Sequence, residues 1–75
     1  MEYFNCSFNC LNELPQIIGN LSNLNIISCF RNNIINLPIE IKNLKKLEGL
    51  YAYHNNIIDL PDEIKQLNNL RYLIY

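Results

Sequence analysis

Three prolines, Pro15, Pro38 and Pro61, stand 23 residues apart, and each follows a leucine: Leu14, Leu37 and Leu60. Three residues after each proline comes isoleucine (Ile18, Ile41, Ile64), then leucine at the next third position (Leu21, Leu44, Leu67) and again at the one after (Leu24, Leu47, Leu70). Before each Leu-Pro lie an apolar residue (Leu11, Ile34, Ile57) and, two positions earlier, an asparagine (Asn9, Asn32, Asn55). A chain with so long a period consists of similar coils, none able to bury its apolar residues alone; the coils become stable by stacking. With 75 residues there is room for one domain, residues 1–75, of about three such coils. A compact fold of this mass should expose about 4,800 Å².

The unit reads L-x-x-L-x-x-L-x-(C/A)-x-x-N-x-(L/I)-x-x-L-P-x-x-I-x-x, with its best copy from Leu44 to Gln66. This resembles the leucine-rich repeat in its 23-residue, Leu-Pro-x-x-Ile form, and the resemblance covers essentially the whole chain. It implies an α/β solenoid: a short right-handed horseshoe segment with parallel strands on the concave side and short helical or 3-10 turns on the convex side. Cys6, Cys29, Ala52 and Tyr75 depart from the pattern, standing where that family usually has leucine.

The residues support the same architecture. Leu50-Tyr51-Ala52-Tyr53 alternates with period two, as a half-buried strand does. Phe4-Asn5-Cys6-Ser7, Ile27-Ser28-Cys29-Phe30 and Leu73-Ile74-Tyr75 are its equivalents. Each is too short to hold alone, but strands stacked in parallel about 4.8 Å apart share backbone hydrogen bonds and a continuous core. After each strand the chain must turn, and Asn9, Asn32 and Asn55 should form a ladder whose side-chain amides satisfy backbone groups of adjacent coils. Proline then fixes φ without leaving an N–H to satisfy. The apolar residues recurring every third position after it suit one or two turns of α- or 3-10 helix.

Strand residues between the inward-facing ones point out onto the concave face. Among them Tyr3, Asn5, Ser28, Phe30, Tyr51, Tyr53 and Tyr72 are the candidate partner-binding residues. Tyrosine combines a large rigid ring with a polar tip, which suits it to protein contacts. Aromatic residues also favour strands for their own sake, but a contiguous exposed row of them calls for a reason.

No other chemistry has the residues it needs. Charged residues are 17% and the formal net charge is −1, so no basic stripe exists to bind nucleic acid. The longest uncharged span, Leu14 to Phe30, is broken by proline, glutamine and asparagines and is no membrane helix. The start, Met1-Glu2, does not read as a signal peptide. A cytoplasmic location is therefore expected, where Cys6, Cys10 and Cys29 remain thiols and pack as small hydrophobes. No metal is expected: His54 is the single histidine and lies about two coils from Cys6. Its equivalents Arg31 and Phe8 put it near the concave rim, with no oriented partner to make it a general base. Asp59, Asp62 and Glu63 read as charge at a helix start, and the Asn-x-Ser matches at Asn5 and Asn20 as chance in an asparagine-rich chain. The sequence thus points to a non-catalytic protein–protein interaction module without cofactor, and the resemblance implies a scaffold of the kind used in small-GTPase signalling and by pathogen effectors. No polar cap is visible at either end. That keeps two alternatives open: a structural unit that self-associates end to end, or a targeting fragment of a larger signalling protein or enzyme.

Overall fold

A computed structural model describes all 75 residues. Four strands, β1 (Glu2–Asn5), β2 (Leu24–Ser28), β3 (Gly49–Tyr51) and β4 (Tyr72–Ile74), form one parallel sheet in chain order. Three 3-10 turns, Gln16–Asn20, Ile39–Asn43 and Asp62–Gln66, alternate with them. The register follows the sequence period. Ile26, Ile27 and Ser28 pair with Gly49, Leu50 and Tyr51, which pair in turn with Tyr72, Leu73 and Ile74. The strands begin earlier than the alternation alone indicates, but the ladder runs on through the expected segments: Cys6 donates to Ser28, Cys29 to Tyr51 and Ala52 to Ile74 at 2.8–2.9 Å.

The opposite side is built on a three-residue rhythm. Pro15, Pro38 and Pro61 sit at φ −64°, −70° and −66° in extended backbone just before their turns. Each offers its carbonyl to the N–H three residues on, and the pattern repeats: Ile41 to Pro38, Leu44 to Ile41, Leu47 to Leu44. The residues making these i to i+3 bonds are the ones that recur apolar at every third place, because in a 3-10 turn such residues lie on one face. One period therefore serves both the backbone bonding and the burial.

Thirteen apolar side chains fill the space between sheet and turns. Ile27, Cys29, Ile34, Ile41, Leu44, Leu47 and Leu50 are fully buried, so the core is tightest in the middle coil. Phe4, Cys6, Ile57, Leu60, Ile64 and Leu70 pack around it half-covered. Leu21 is exposed although Leu44 and Leu67, its equivalents, are buried. The molecule measures 26 × 24 × 21 Å, and its surface of 4776 Å² equals that of a compact globule of its mass. Three coils are too few to make an elongated rod.

Two turns approach closely at Gly19. A Cβ there would stand 2.8 Å from the Cβ of Glu40 and 3.0 Å from its carbonyl oxygen. The equivalent place in the next coil carries Lys42, so a slightly wider spacing is compatible with the architecture. Gly19→Ala should therefore cost about 1–2 kcal/mol by forcing these turns apart, read as a lower urea midpoint with unchanged slope; an unaltered midpoint would mean that the approach is not a packing constraint.

Candidate interaction face

The sheet lays its outward side chains in rows across the strands. Tyr3, Ile26, Gly49 and Tyr72 form one row, and Asn5, Ser28, Tyr51 and Ile74 the next. Beyond them come Ser7, Phe30 and Tyr53, held by the bonds from Cys6 and Cys29. Each of the first two rows has one small residue at its centre, Gly49 beside Ile26 and Ser28 beside Tyr51. Gly49 lets the Tyr51 ring lie against the backbone, since a Cβ at 49 would be 3.2 Å from that ring. Tyr3 and Tyr72 remain exposed at either side, and Tyr51, Phe30 and Tyr53 are half-buried. Asn5 is exposed and accepts a bond from the Ser7 N–H at 3.0 Å.

Ser28 corrects an expectation. It points to the outward face as the alternation requires, yet it is 4% exposed. It lies between Asn5 and Tyr51 in register, and its hydroxyl accepts a bond from the Tyr3 hydroxyl at 3.1 Å. A small side chain among larger neighbours is covered whichever way it points. Ser28 thus supports Tyr3 and itself leaves little surface open on this face.

The asparagines tie this face to the coils behind it. The Asn32 amide donates to the carbonyls of Cys6 (3.0 Å), Cys29 (3.1 Å) and Phe30 (3.4 Å), while its oxygen accepts from Leu11 (3.1 Å). Asn55 repeats the set one coil on, donating to Cys29, Ala52 and Tyr53 and accepting from Ile34. Asn9 is exposed and donates only within its own coil, to Cys6 and Ser7. To fold back in this way the chain must turn sharply just before each asparagine. It does so through a left-handed residue: φ is 62° at Phe8, 57° at Arg31 and 56° at His54. Sequence reasoning placed these three at the rim but missed their conformation, because none is the glycine or asparagine that ordinarily signals it. A second set of asparagines also escaped notice. At the strand-entry edge Asn25 accepts from the Glu2 N–H at 2.9 Å, and Asn69 donates to the Lys45 carbonyl at 2.9 Å. They border a polar recess of about 280 Å³ lined also by Lys46, Glu48 and Arg71.

At the turn edge the rings meet. Phe30 stacks on Tyr53 with centroids 4.6 Å apart and planes 4° from parallel. Phe8 meets Phe30 edge-on at 5.3 Å, His54 meets Tyr53 edge-on at 5.3 Å, and the Arg31 guanidinium lies 5.6 Å over the Phe8 ring. The stacking distance is the strand spacing itself, so the sheet sets it. Behind this wall, burial pushes the Cys6 thiol up, against a smaller lowering by a backbone hydrogen bond, and pushes Cys29 to about 12, with the neighbouring Cys6 adding to the rise. Both are free thiols, as is the exposed Cys10. No three His, Cys, Asp or Glu side chains gather into a group able to hold a metal. No helix is long and apolar enough to cross a membrane.

No protein-family model matches the chain, and no curated protein matches it either. A solved structure does: that of a leucine-rich-repeat protein from Leptospira interrogans, with a TM-score of 0.93 and 41% sequence identity over 97% of this chain. The chain spans 19% of the length of that protein. With its 23-residue period, parallel sheet, 3-10 turns and asparagine ladder, this chain belongs to the leucine-rich-repeat family.

Proposed function

We propose that this chain is a non-catalytic protein-interaction module that takes its partner on the concave, sheet-borne face. The observation that carries the reading is the face itself: Tyr3, Phe30, Tyr51, Tyr53 and Tyr72 stand at least partly open on one hydrogen-bonded sheet. Rigid rings lose little conformational freedom on docking, and anchors of this type carry most of the energy in protein interfaces. The similarity to a leucine-rich-repeat protein supports the same class of role. The three free thiols fit a reducing compartment such as the cytoplasm.

The test is affinity capture with the wild-type chain against Tyr51→Ala with Tyr53→Ala. Both rings lie on the outward face, so the double variant should keep the wild-type circular dichroism spectrum while its partner binds about tenfold more weakly or worse. Equal capture by both forms would overturn the reading. Self-association through exposed apolar side chains, Ile35, Ile39 and Ile58 among them, is the competing role. In that case solution mass would climb with protein concentration and the double variant would leave it unchanged.

A further inference from the structure

The three left-handed residues hold a feature that neither the turn nor the core accounts for. Phe8, Arg31 and His54 occupy the same place in successive coils, and the ladder runs into them: Phe8 donates to Phe30 and Arg31 to Tyr53, both at 3.1 Å. The backbone there needs a positive φ, which glycine or asparagine adopts at least cost. Asparagine is abundant in this chain, yet these positions carry bulky side chains. Nor are those side chains buried; Phe8 is 70% exposed, and Arg31 and His54 are exposed too. Strain kept in place to display large side chains in solvent points to their use.

Charge says what that use is. Segments 3–8, 26–31 and 49–54 contain no aspartate or glutamate, and Arg31 is their single fixed charge. The carboxylates lie elsewhere: Glu2 and Glu48 at the strand-entry edge, and Glu13, Glu40, Asp59, Asp62 and Glu63 in the stretches leading to and through the 3-10 turns. Arg31 therefore stands over an aromatic wall, with its planar fork held at the Phe8 ring. Guanidinium is the side chain best matched to a carboxylate, because its planar fork can donate to both oxygens at once.

Building on the interaction-module reading, we propose that Phe8, Arg31 and His54, with Phe30 and Tyr53, form a recognition ledge for an acidic peptide segment of the partner. Arg31 takes a carboxylate, and the stacked Phe30–Tyr53 pair takes an adjacent aromatic or apolar side chain. The ledge sets which partner is accepted, whereas Tyr3, Tyr51 and Tyr72 on the open sheet contribute general contact area.

The probe is a short fluorescein-labelled Gly-Ser peptide carrying a central Glu-Phe-Glu-Tyr, with two twins: one with lysine for each glutamate, the other with serine for each aromatic. Fluorescence anisotropy should show the first peptide binding best, and binding should weaken as salt rises from about 50 to about 500 mM. Arg31→Asn is the decisive variant, because asparagine suits the left-handed turn and spares the fold. It should melt no lower than wild type yet bind the acidic peptide about tenfold more weakly or worse. Equal binding of the lysine twin, undiminished binding by Arg31→Asn, or no binding to wild type at about 1 mM peptide would each overturn the ledge. Tyr51→Ala separates the two readings, since Tyr51 is no part of the ledge. Peptide binding lost in Tyr51→Ala but kept in Arg31→Asn leaves the concave face standing and removes the ledge; the reverse pattern supports the ledge.

Discussion

Leu50→Ala is expected to remove about 3–4 kcal/mol of stability, within the range for leucine truncations in a close-packed interior. Leu50 is fully buried and pairs with Ile27 on one side and Leu73 on the other. It therefore faces a neighbouring coil on each side. A solenoid is stabilised by contacts between neighbouring coils, so a cavity there weakens two of them together. Domains of this length are stable by about 4–11 kcal/mol, so the loss is about a quarter or more of the whole. Urea denaturation should show a much lower midpoint with unchanged slope. Ile58→Ala is the control: Ile58 is 81% exposed, and its truncation should move the midpoint little. Equal shifts for the two variants would mean that the inward and outward residues are misassigned.

Asn32→Ala should cost about 2–3 kcal/mol for a different reason. No large volume is lost; what is lost is the partner of several backbone groups. Asn32 is 6% exposed. Its removal leaves the Leu11 N–H without a partner in a place water reaches poorly, and takes one of two donors from the Cys6 and Cys29 carbonyls, which keep Asn9 and Asn55. Each buried polar group left unpaired costs about 1–3 kcal/mol, although the backbone relaxes to recover part of that. For a domain of this size each kcal/mol lowers the melting temperature by about 4–8 °C. Asn9→Ala provides the internal contrast. The same residue type at the equivalent position is exposed and bonds only within its own coil, so its loss should cost well under half as much. Matching melting temperatures for the two variants would show that links between coils contribute nothing at this position.

Both predictions rest on features readable from residue spacing. The Leu-Pro period gives the coil length, and parallel pairing at a constant offset of 23 follows once coils of equal length stack. The three-residue apolar rhythm after each proline matches the i to i+3 bonding of the 3-10 turns. The ladder asparagines stand out because a small amide after a strand has few other uses at a fixed period. Less of the candidate face was legible. Alternation says that Ser28 points outward, but exposure depends on the size of its neighbours and on where the Tyr3 hydroxyl lands. Phe8 was recognised as a rim residue but not as part of an aromatic wall, since the wall exists only when side chains 23 positions apart come side by side.

The sequence alone thus determined the repeating unit and the inward and outward sides of each strand, both of which follow from local periodicity and residue chemistry. Only the tertiary structure decided that Phe8, Arg31 and His54 are left-handed, that Phe30 and Tyr53 stack, and that Ser28 is covered. The physical reason is the same in each case. These properties depend on the distance between coils, which the hydrogen bonds joining one strand to the next set at a value no single coil contains.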